Sequence, residues 1–318
     1  MNFLDLLLSK IPLSPKDILK ILFITLIWGV SFVGIKEVVY GMPPFIAAGS
    51  RFLIGGLVVW VFTYKKKPSS NGILLRKPTF KEAALIGVLQ TTALYGLAFV
   101  GMRYATAGAA SLLINTNPVF VVIISAIVMG IPIRLRTLFG LLAAVAGVIV
   151  VSVNGSLGSA FGIGILLAAS LSWATASVVL KKMPDVDLLA LSRQQMILGS
   201  IPLLLAGLVF EPLIFHLTAI TIFWLLFLAL PATAINFVFW FDLLNRYGTV
   251  SVTSWLFLIP VFGILSGIIL LNEAAPFTLF IGAPLILAGV LAVQSGAKKQ
   301  QEIGLLNQEL NLDQEIVI

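Results

Sequence analysis

The sequence predicts an all-α integral membrane protein whose ten transmembrane helices form a 5+5 inverted repeat. Three observations support this prediction. Apolar segments recur from end to end of the chain, basic residues concentrate in alternate loops, and landmarks of the first half return in the second. The 318 residues are 59% apolar and 10% charged, with a mean hydropathy of +1.10. One soluble core could not bury so much apolar surface, so lipid must cover the remainder.

Ten apolar segments are long enough to cross a bilayer as helices. A bilayer core about 30 Å thick requires roughly 20 apolar residues of helix. The segments are continuously apolar and do not alternate as the strands of a membrane barrel do, so we predict helices. The predicted spans are 18–40, 44–64, 82–101, 105–130, 135–153, 161–181, 188–210, 220–241, 249–270 and 276–296.

These spans divide the chain into four parts. A cytoplasmic N-terminal stub covers residues 1–17, a first five-helix unit covers 18–153, a second covers 161–296, and a cytoplasmic tail covers 297–318. The stub lacks the small-residue cleavage pattern of a secretory signal, so we expect the first helix to be retained.

The distribution of basic residues predicts the orientation. With an inside N-terminus, 16 of the 20 basic residues lie at inner ends, Lys36 and Arg103 lie at outer ends, and Arg51 and Arg193 fall inside helices. The positive-inside bias therefore places both termini in the cytoplasm. The net charge of +7 is spread over short loops. Because it is not gathered on one face, we predict no nucleic-acid partner.

The second half of the chain repeats the first. The coinciding landmarks are, at a shift of 142 residues, Ser50 and Arg51 with Ser192 and Arg193, Pro118, Val119 and Phe120 with Pro260, Val261 and Phe262, Gly140 with Gly282 and Gly147 with Gly289, and, at a shift of 145, Trp28 with Trp173 and Lys36 with Lys181. Each unit holds an odd number of spans, so the second must enter the membrane from the opposite side. Inverted repeats of this kind are typical of transporters, in which two exchangeable conformations surround a midplane site.

The ordered set of duplicated motifs resembles the drug/metabolite transporter superfamily, EamA type. The shared features are a tryptophan in the first helix of each half, an arginine in the second, a proline after small residues in the fourth, and the turn Asn272–Glu273 before the last helix. The resemblance covers residues 18–296. It departs in the first half, where Ile131 stands at the position that matches Glu273.

This resemblance implies a transporter in a bacterial-type inner membrane. It implies the export of amino acids, related small metabolites and toxic analogues, and it places the last helix of each half at the periphery. The fifth and tenth helices are rich in glycine and other small residues, which allow close helix packing in lipid. We expect them to form scaffold or a homodimer surface, with no contact to the substrate.

Polar and aromatic residues within the spans predict a central cavity, because polar groups in a span must face protein or water. The tryptophans could instead form interfacial belts, the hydroxyls could bond within their own helix, and the amides could bond between helices. A neutral, aromatic lumen suits a zwitterionic or aromatic solute. The candidate substrate-binding residues are Trp28, Ser31, Phe32, Gln90, Tyr95, Asn115, Trp173, Ser177, Asn236, Trp240 and Trp255.

Four further residues are candidates for hinges or gates. Pro118 and Pro260 lie inside the fourth and ninth spans, where each removes a backbone hydrogen bond; they are either hinges or static kinks. We predict that Lys36 pairs with Glu273 at the outer mouth and holds an inward-open state.

Two arginines lie within predicted helices. Arg51 and Arg193 could bind a substrate carboxylate, although snorkelling or capping of neighbouring helix ends is the favoured interpretation. No carboxylate lies at mid-membrane in the sequence, so a buried acidic proton relay is not predicted. Proton coupling, facilitated diffusion and exchange all stay open.

Other function classes fit less well. The chain has no cysteine, a single histidine (His216) and no acidic pair within a span, so we predict neither an enzyme nor a metal or cofactor site. A channel would need rings of charge or a repeated filter, and neither is present. A flippase of lipid-linked substrates stays an alternative, and an intramembrane enzyme is the alternative from a different class. The prediction is a membrane exporter that works by alternating access, with a small molecule and the lipid bilayer as its partners.

Overall fold

The computed structural model describes residues 14–64, 75–130, 133, 135–152 and 158–292. All regular elements in these ranges are helices, joined by two isolated backbone bridges, Arg76 with Val186 and Ala105 with Gly158. The all-helical prediction is therefore confirmed for the described residues. The predicted tail and residues 1–13 of the predicted stub lie outside them.

The helices follow the predicted order of spans. They are α1 (Pro15–Gly41), α2 (Pro44–Thr63), α3 (Phe80–Ile86, Gly87–Ala93 and Leu94–Met102), α4 (Ala107–Ile114 and Asn117–Met129), α5 (Leu135–Ser152), α6 (Ala160–Lys181), α7 (Leu188–Phe210), α8 (Ala219–Ala229, Leu230–Ile235 and Asn236–Thr253), α9 (Ser254–Phe257 and Leu258–Leu271) and α10 (Phe277–Ala292).

Not all of these helices have the length of a membrane span. Within the described ranges, seven are long and apolar enough to cross a bilayer, from α1 to α4 and from α6 to α8. The apolar stretches of α5, α9 and α10 are shorter, at Thr137–Val150, Trp255–Leu271 and Phe277–Ala292. The count of ten spans therefore stays a prediction.

Side-chain caps fix where most of the helices begin. Each cap accepts a hydrogen bond from an amide of the first turn, which has no partner within the helix. Thr79 forms a full capping box with Glu82 at the start of α3. The other capping residues are Ser14, Thr106, Ser159, Asp187 and Thr218.

The predicted break at 242–248 lies inside a helix, because α8 continues to Thr253. An ion-pair cluster stabilises these extra turns. Arg246 donates to both oxygens of Asp17 at 2.9 Å and to Asp242 at 2.5 Å. The Asp17 carboxylate is the main group that holds the pKa of Arg246 above its ordinary value. The cluster joins α1 to α8 at the end of the bundle where α6 finishes with Lys181, which we call the Lys181 end.

Two π-helical segments interrupt α3 and α8, at Gly87–Ala93 and Leu230–Ile235. They lie at nearly matching places of the two halves, because a shift of 142 residues carries 87–93 onto 229–235. The hydroxyls of Thr91 and Thr233, which match at this shift, both bond across the halves. Thr91 donates to Gln195 at 2.5 Å, and Thr233 accepts from Arg51 at 3.0 Å. These segments were not predicted from the sequence.

The interior is built from contacts between the two halves. The main pairs are α2 with α7, α3 with α6, α3 with α7, α1 with α9, α8 with α1, α4 with α6, α2 with α8 and α4 with α9. When each helix from α1 to α5 is exchanged with its counterpart from α6 to α10, the same set of pairs results. The hydrophobic core therefore belongs to both halves together.

The fifth and tenth helices pack against each other through small residues. A Cβ built on Gly289 would lie 2.5 Å from both Ala144 N and Gly140 O, so the two backbones are in close contact. This agrees with a scaffold role. The expectation of no contact to the substrate stays a prediction, although Thr137 of α5 and Ile286 and Val290 of α10 line the central cavity described below.

Candidate functional site

A cavity of about 1140 Å³ lies between the two halves. Nine of the eleven predicted substrate-binding residues line it, and so do both predicted hinge prolines, Pro118 and Pro260. The nine are Trp28, Ser31, Phe32, Gln90, Tyr95, Asn115, Trp173, Ser177 and Trp240. The structure thus brings together residues from α1, α3, α4, α6 and α8 that the chain separates widely.

Aromatic rings form one wall of the cavity. The Trp28 ring lies edge-on to Phe237 at 5.7 Å and to Trp240 at 5.4 Å between centroids. Its Nε1 donates to the carbonyl of Ala232 at 3.0 Å, inside the π-helical segment of α8. Trp28 is therefore held in the protein interior and does not form an interfacial belt.

The α8 part of this wall follows helical spacing. Phe237, Trp240, Phe241 and Leu244 all line the cavity, and they recur at intervals of three and four residues. Such residues share one face of an α-helix. The face begins directly after the π-helical segment.

Two predicted residues, Asn236 and Trp255, do not reach the cavity. Asn236 is fully buried, and its Nδ2 donates to the Ile24 carbonyl at 3.1 Å, because α1 packs against this turn of α8. Trp255 packs against a small cluster that includes Leu243 and Val252. For Asn236, the alternative of bonding between helices is the one the structure shows.

Three of the predicted polar residues that line the cavity donate hydrogens within their own helices. Ser31 Oγ donates to Ile27 O at 2.7 Å, Ser177 Oγ to Trp173 O at 2.9 Å, and Asn115 Nδ2 to Ser111 O at 2.7 Å. These bonds lie within single helices. What these groups offer to a solute is chiefly hydrogen-bond acceptors.

Both hinge prolines follow an irregular turn. Asn115 and Thr116 separate the two parts of α4, and Pro118 lies in the first turn of the second part. Pro260 follows the 3₁₀ turn Ser254–Phe257 of α9. The Ile114 carbonyl accepts from Ser170 Oγ of α6 at 3.0 Å, so a neighbouring helix provides its partner.

The opposite end of the bundle, which we call the Glu273 end, is closed around the start of α4. The Glu273 carboxylate accepts from the amides of Ala107 at 2.6 Å and Gly108 at 3.0 Å. Lys36 Nζ donates to the carbonyls of Met102 at 2.8 Å and Ala105 at 2.5 Å.

The predicted direct pair of Lys36 with Glu273 is not among the ion pairs of the described residues. The left-handed backbone of Asn272, with φ of 51°, ends α9 and turns the chain so that the Glu273 side chain meets the exposed amides of α4. Both residues therefore act at the same turn through separate partners.

Among the described residues, the cavity lining is exposed at one end of the bundle and buried towards the other. At the Lys181 end its lining includes Lys181 and Ile133, both of which are exposed. Towards the Glu273 end, Ile35 and Ala98 line it, and both are buried. The residues around the start of α4 separate the cavity from that side.

Arg51 is a cavity residue that was left out of the predicted site. It is 1% exposed, so the favoured snorkelling interpretation is wrong for it. Its Nε donates to Thr233 Oγ1 at 3.0 Å, and its guanidinium lies 5.0 Å from the Phe52 ring and 5.1 Å from the Tyr95 ring. Its repeat-related partner Arg193 instead caps α2 by donating to Thr63 O at 2.9 Å. The sequence feature that could have indicated a site at Arg51 was the position of both arginines within predicted spans.

The comparisons with known proteins agree on one family. The EamA-like transporter family matches residues 16–153 and again residues 160–294. The uncharacterized transporter YvbV of Bacillus subtilis (strain 168) is 31% identical over 294 residues, covering 91% of this chain and 94% of that protein. A "Probable amino-acid metabolite efflux pump" of Escherichia coli (strain K12) is 30% identical over 292 residues, covering 87% and 94%.

A solved structure shows the same fold. A protein of known crystal structure that is 20% identical superposes with a TM-score of 0.62, covering 91% of this chain and 99% of that one.

Proposed function

Because the chain belongs to the EamA-like transporter family, we propose that it exports amino acids or related small metabolites across an inner membrane by alternating access. The observation that carries this proposal is the central cavity, which reaches the Lys181 end and is closed around the start of α4 at the other. A carrier needs a chamber of this kind, open to one side at a time. The E. coli relative's name, which refers to amino-acid metabolites, supports the substrate class.

We propose that the two halves form an inverted repeat of five spans each. Three findings support it: the family matches the chain twice, the helix pairs map onto themselves when the halves are exchanged, and both third helices carry a π-helical segment. In this scheme, residues 18–153 and 161–296 exchange conformations around the cavity. Pro118 and Pro260, beside irregular turns in the cavity wall, would take up the bending.

The charge distribution supports a cytoplasmic location for the Lys181 end and for both termini. The described conformation is then inward-open. A solute would enter from the cytoplasm, contact Trp28, Trp173 and Trp240, and leave once the start of α4 separates from Lys36 and Glu273.

Transport by purified protein in proteoliposomes tests this proposal. A panel of radiolabelled amino acids and aromatic metabolites is measured by counterflow, with and without a pH gradient. We expect saturable movement of at least one amino acid or metabolite, and a dependence on the gradient would indicate proton coupling. Movement of lipid-linked sugars in place of these solutes would favour the flippase alternative, and absence of any solute movement would refute the proposal.

A further inference from the structure

The cavity has an unbalanced charge. Among the described residues that line it, the ionisable groups charged at neutral pH are Arg51 and Lys181, both cationic, and none is a carboxylate. Lys181 lies exposed at the open end. Arg51 lies deep in the wall and is 1% exposed. A guanidinium stays protonated in proteins, so burial does not neutralise it.

The groups around Arg51 do not balance its charge. Its described contacts are the neutral hydroxyl of Thr233 and the ring faces of Phe52 and Tyr95. Its Nη1 is buried without a hydrogen-bond partner among the described residues, and so is the hydroxyl of Ser192, which also lines the cavity. An unpaired buried donor of a charged group is costly unless something else provides an acceptor.

A ligand carboxylate fits these groups. It brings the negative charge that the wall does not supply and accepts hydrogen bonds from both guanidinium nitrogens and hydroxyls. The aromatic wall at Trp28 and Trp240 would hold the apolar part of the same solute. A cationic amine without a carboxylate would meet an uncompensated like charge.

We propose that Arg51 binds the carboxylate of the transported solute, with Ser192 as a second donor. This inference rests on the proposed function and narrows its substrate class to carboxylates, including zwitterionic amino acids. Lys181 at the mouth raises the local concentration of such solutes by electrostatic attraction. The cavity thus selects by charge as well as by shape.

Arg193 provides the matched control. It occupies the repeat-related position, is partly buried where Arg51 is fully buried, and lies outside the cavity lining, with its Nη1 bonded to Thr63 O. Its Nε lacks a partner among the described residues, as Nη1 of Arg51 does, so each variant removes a guanidinium with one unpaired buried nitrogen. A defect confined to Arg51→Gln is then specific to the cavity.

The experiment compares amino acids with their primary amides. Purified full-length protein in proteoliposomes is assayed by counterflow with leucine, phenylalanine and threonine, each competed by its unlabelled acid, its amide and the corresponding decarboxylated amine. We expect wild-type protein to prefer the acid over the amide by roughly ten- to a hundred-fold in half-inhibitory concentration, as for one charge-assisted hydrogen bond. Arg51→Gln abolishes this preference, Arg51→Lys retains part of it, and Arg193→Gln leaves it unchanged.

The outcomes separate the inference from the function on which it rests. If solutes move but acid and amide compete equally in wild-type protein, the carboxylate site is refuted while transport stands. If no probe moves, the proposed function fails first. The comparison of acid with amide is made in wild-type protein. It can therefore refute the inference even if Arg51→Gln misfolds. Thermal unfolding of each variant reports its folding.

Discussion

Lys36 and Glu273 bond to opposite sides of one turn without pairing with each other. Lys36 satisfies the carbonyls of Met102 and Ala105 before α4, and Glu273 satisfies the amides of Ala107 and Gly108 at its start. The two side chains come from α1 and from the connection between α9 and α10. The start of α4 is therefore bonded to α1 of its own half and to Glu273 of the second half, and separation of the halves at this end must break the Glu273 bonds.

Glu273→Gln should loosen the Glu273 end. The amide keeps an acceptor but loses the charge that favours a helix N-terminus, and charge-assisted bonds contribute about 1.5–3 kcal/mol. We expect roughly tenfold faster labelling of an Ile35→Cys reporter by an impermeant maleimide added from that side, as follows from this energy. The natural chain contains no cysteine, so the reporter is the only thiol.

Glu211→Gln is the control for this experiment. Glu211 caps α2 in the same way, accepting from the amides of Phe45 and Ile46, and among the described residues it has no hydrogen bond to α4. It should lower the unfolding temperature without faster labelling at Ile35. Equal labelling in the wild type and Glu273→Gln would show that the cap does not control access.

Trp28→Ala should abolish transport and lower the free energy of unfolding by about 3–5 kcal/mol, because a large aromatic side chain leaves a packed wall. Trp28→Phe keeps a ring but loses the bond to Ala232 O, which contributes about 1 kcal/mol. We expect partial transport in that variant. Trp60→Ala is the control, since Trp60 is exposed and lies outside the cavity. Normal transport in Trp28→Ala would move the site elsewhere.

Thr233→Val should destabilise the protein more than Thr91→Val. The two threonines match in the repeat, and each joins a π-helical segment to the other half. Thr233 is the partner of a guanidinium, and bonds to charged groups contribute about 1.5–3 kcal/mol, against about 0.5–1.5 kcal/mol for neutral ones. Differential scanning fluorimetry of both variants measures the difference. A larger loss in Thr91→Val would contradict the assigned role of the Arg51 bond.

Gly29→Ala should disrupt the packing of α1 on α9. A Cβ at Gly29 would lie 2.5 Å from Phe262 Cβ and 3.0 Å from Ile259 O, so a methyl group forces the helices apart at a cost of about 1–3 kcal/mol. Gly164 has no atom within 4 Å of an added Cβ. Gly164→Ala should raise stability by up to about 1 kcal/mol through helix propensity. Unfolding in a denaturant series compares the two, and similar values would refute the close contact.

Residues on a single regular helix were predictable from the sequence. Helical spacing places Trp28, Ser31, Phe32 and Ile35 on one face of α1, and all four line the cavity. The same holds for Trp173, Ser177 and Leu180 of α6. Periodicity is reliable there because neither helix is interrupted.

What the sequence could not provide depends on contacts between helices. Asn236 and Arg51 are both polar residues in spans, yet only Arg51 reaches the cavity, because the turn that holds Asn236 packs on Ile24 of α1. No single-helix pattern contains that information. Arg51 was assigned to the interface by its place near a helix start, and only the packing of α8 over α2 shows that it is enclosed.

The π-helical segment of α8 sets the rotational phase of everything that follows it. An α-helix turns by about 100° per residue, and a π-helical segment accommodates one residue more than regular winding would. If the same six residues of Leu230–Ile235 wound as a regular α-helix, Phe237, Trp240 and Phe241 would turn by about that angle about the helix axis. These rings would then face different neighbours, so the aromatic wall depends on the π winding of this segment as much as on the identity of its own residues.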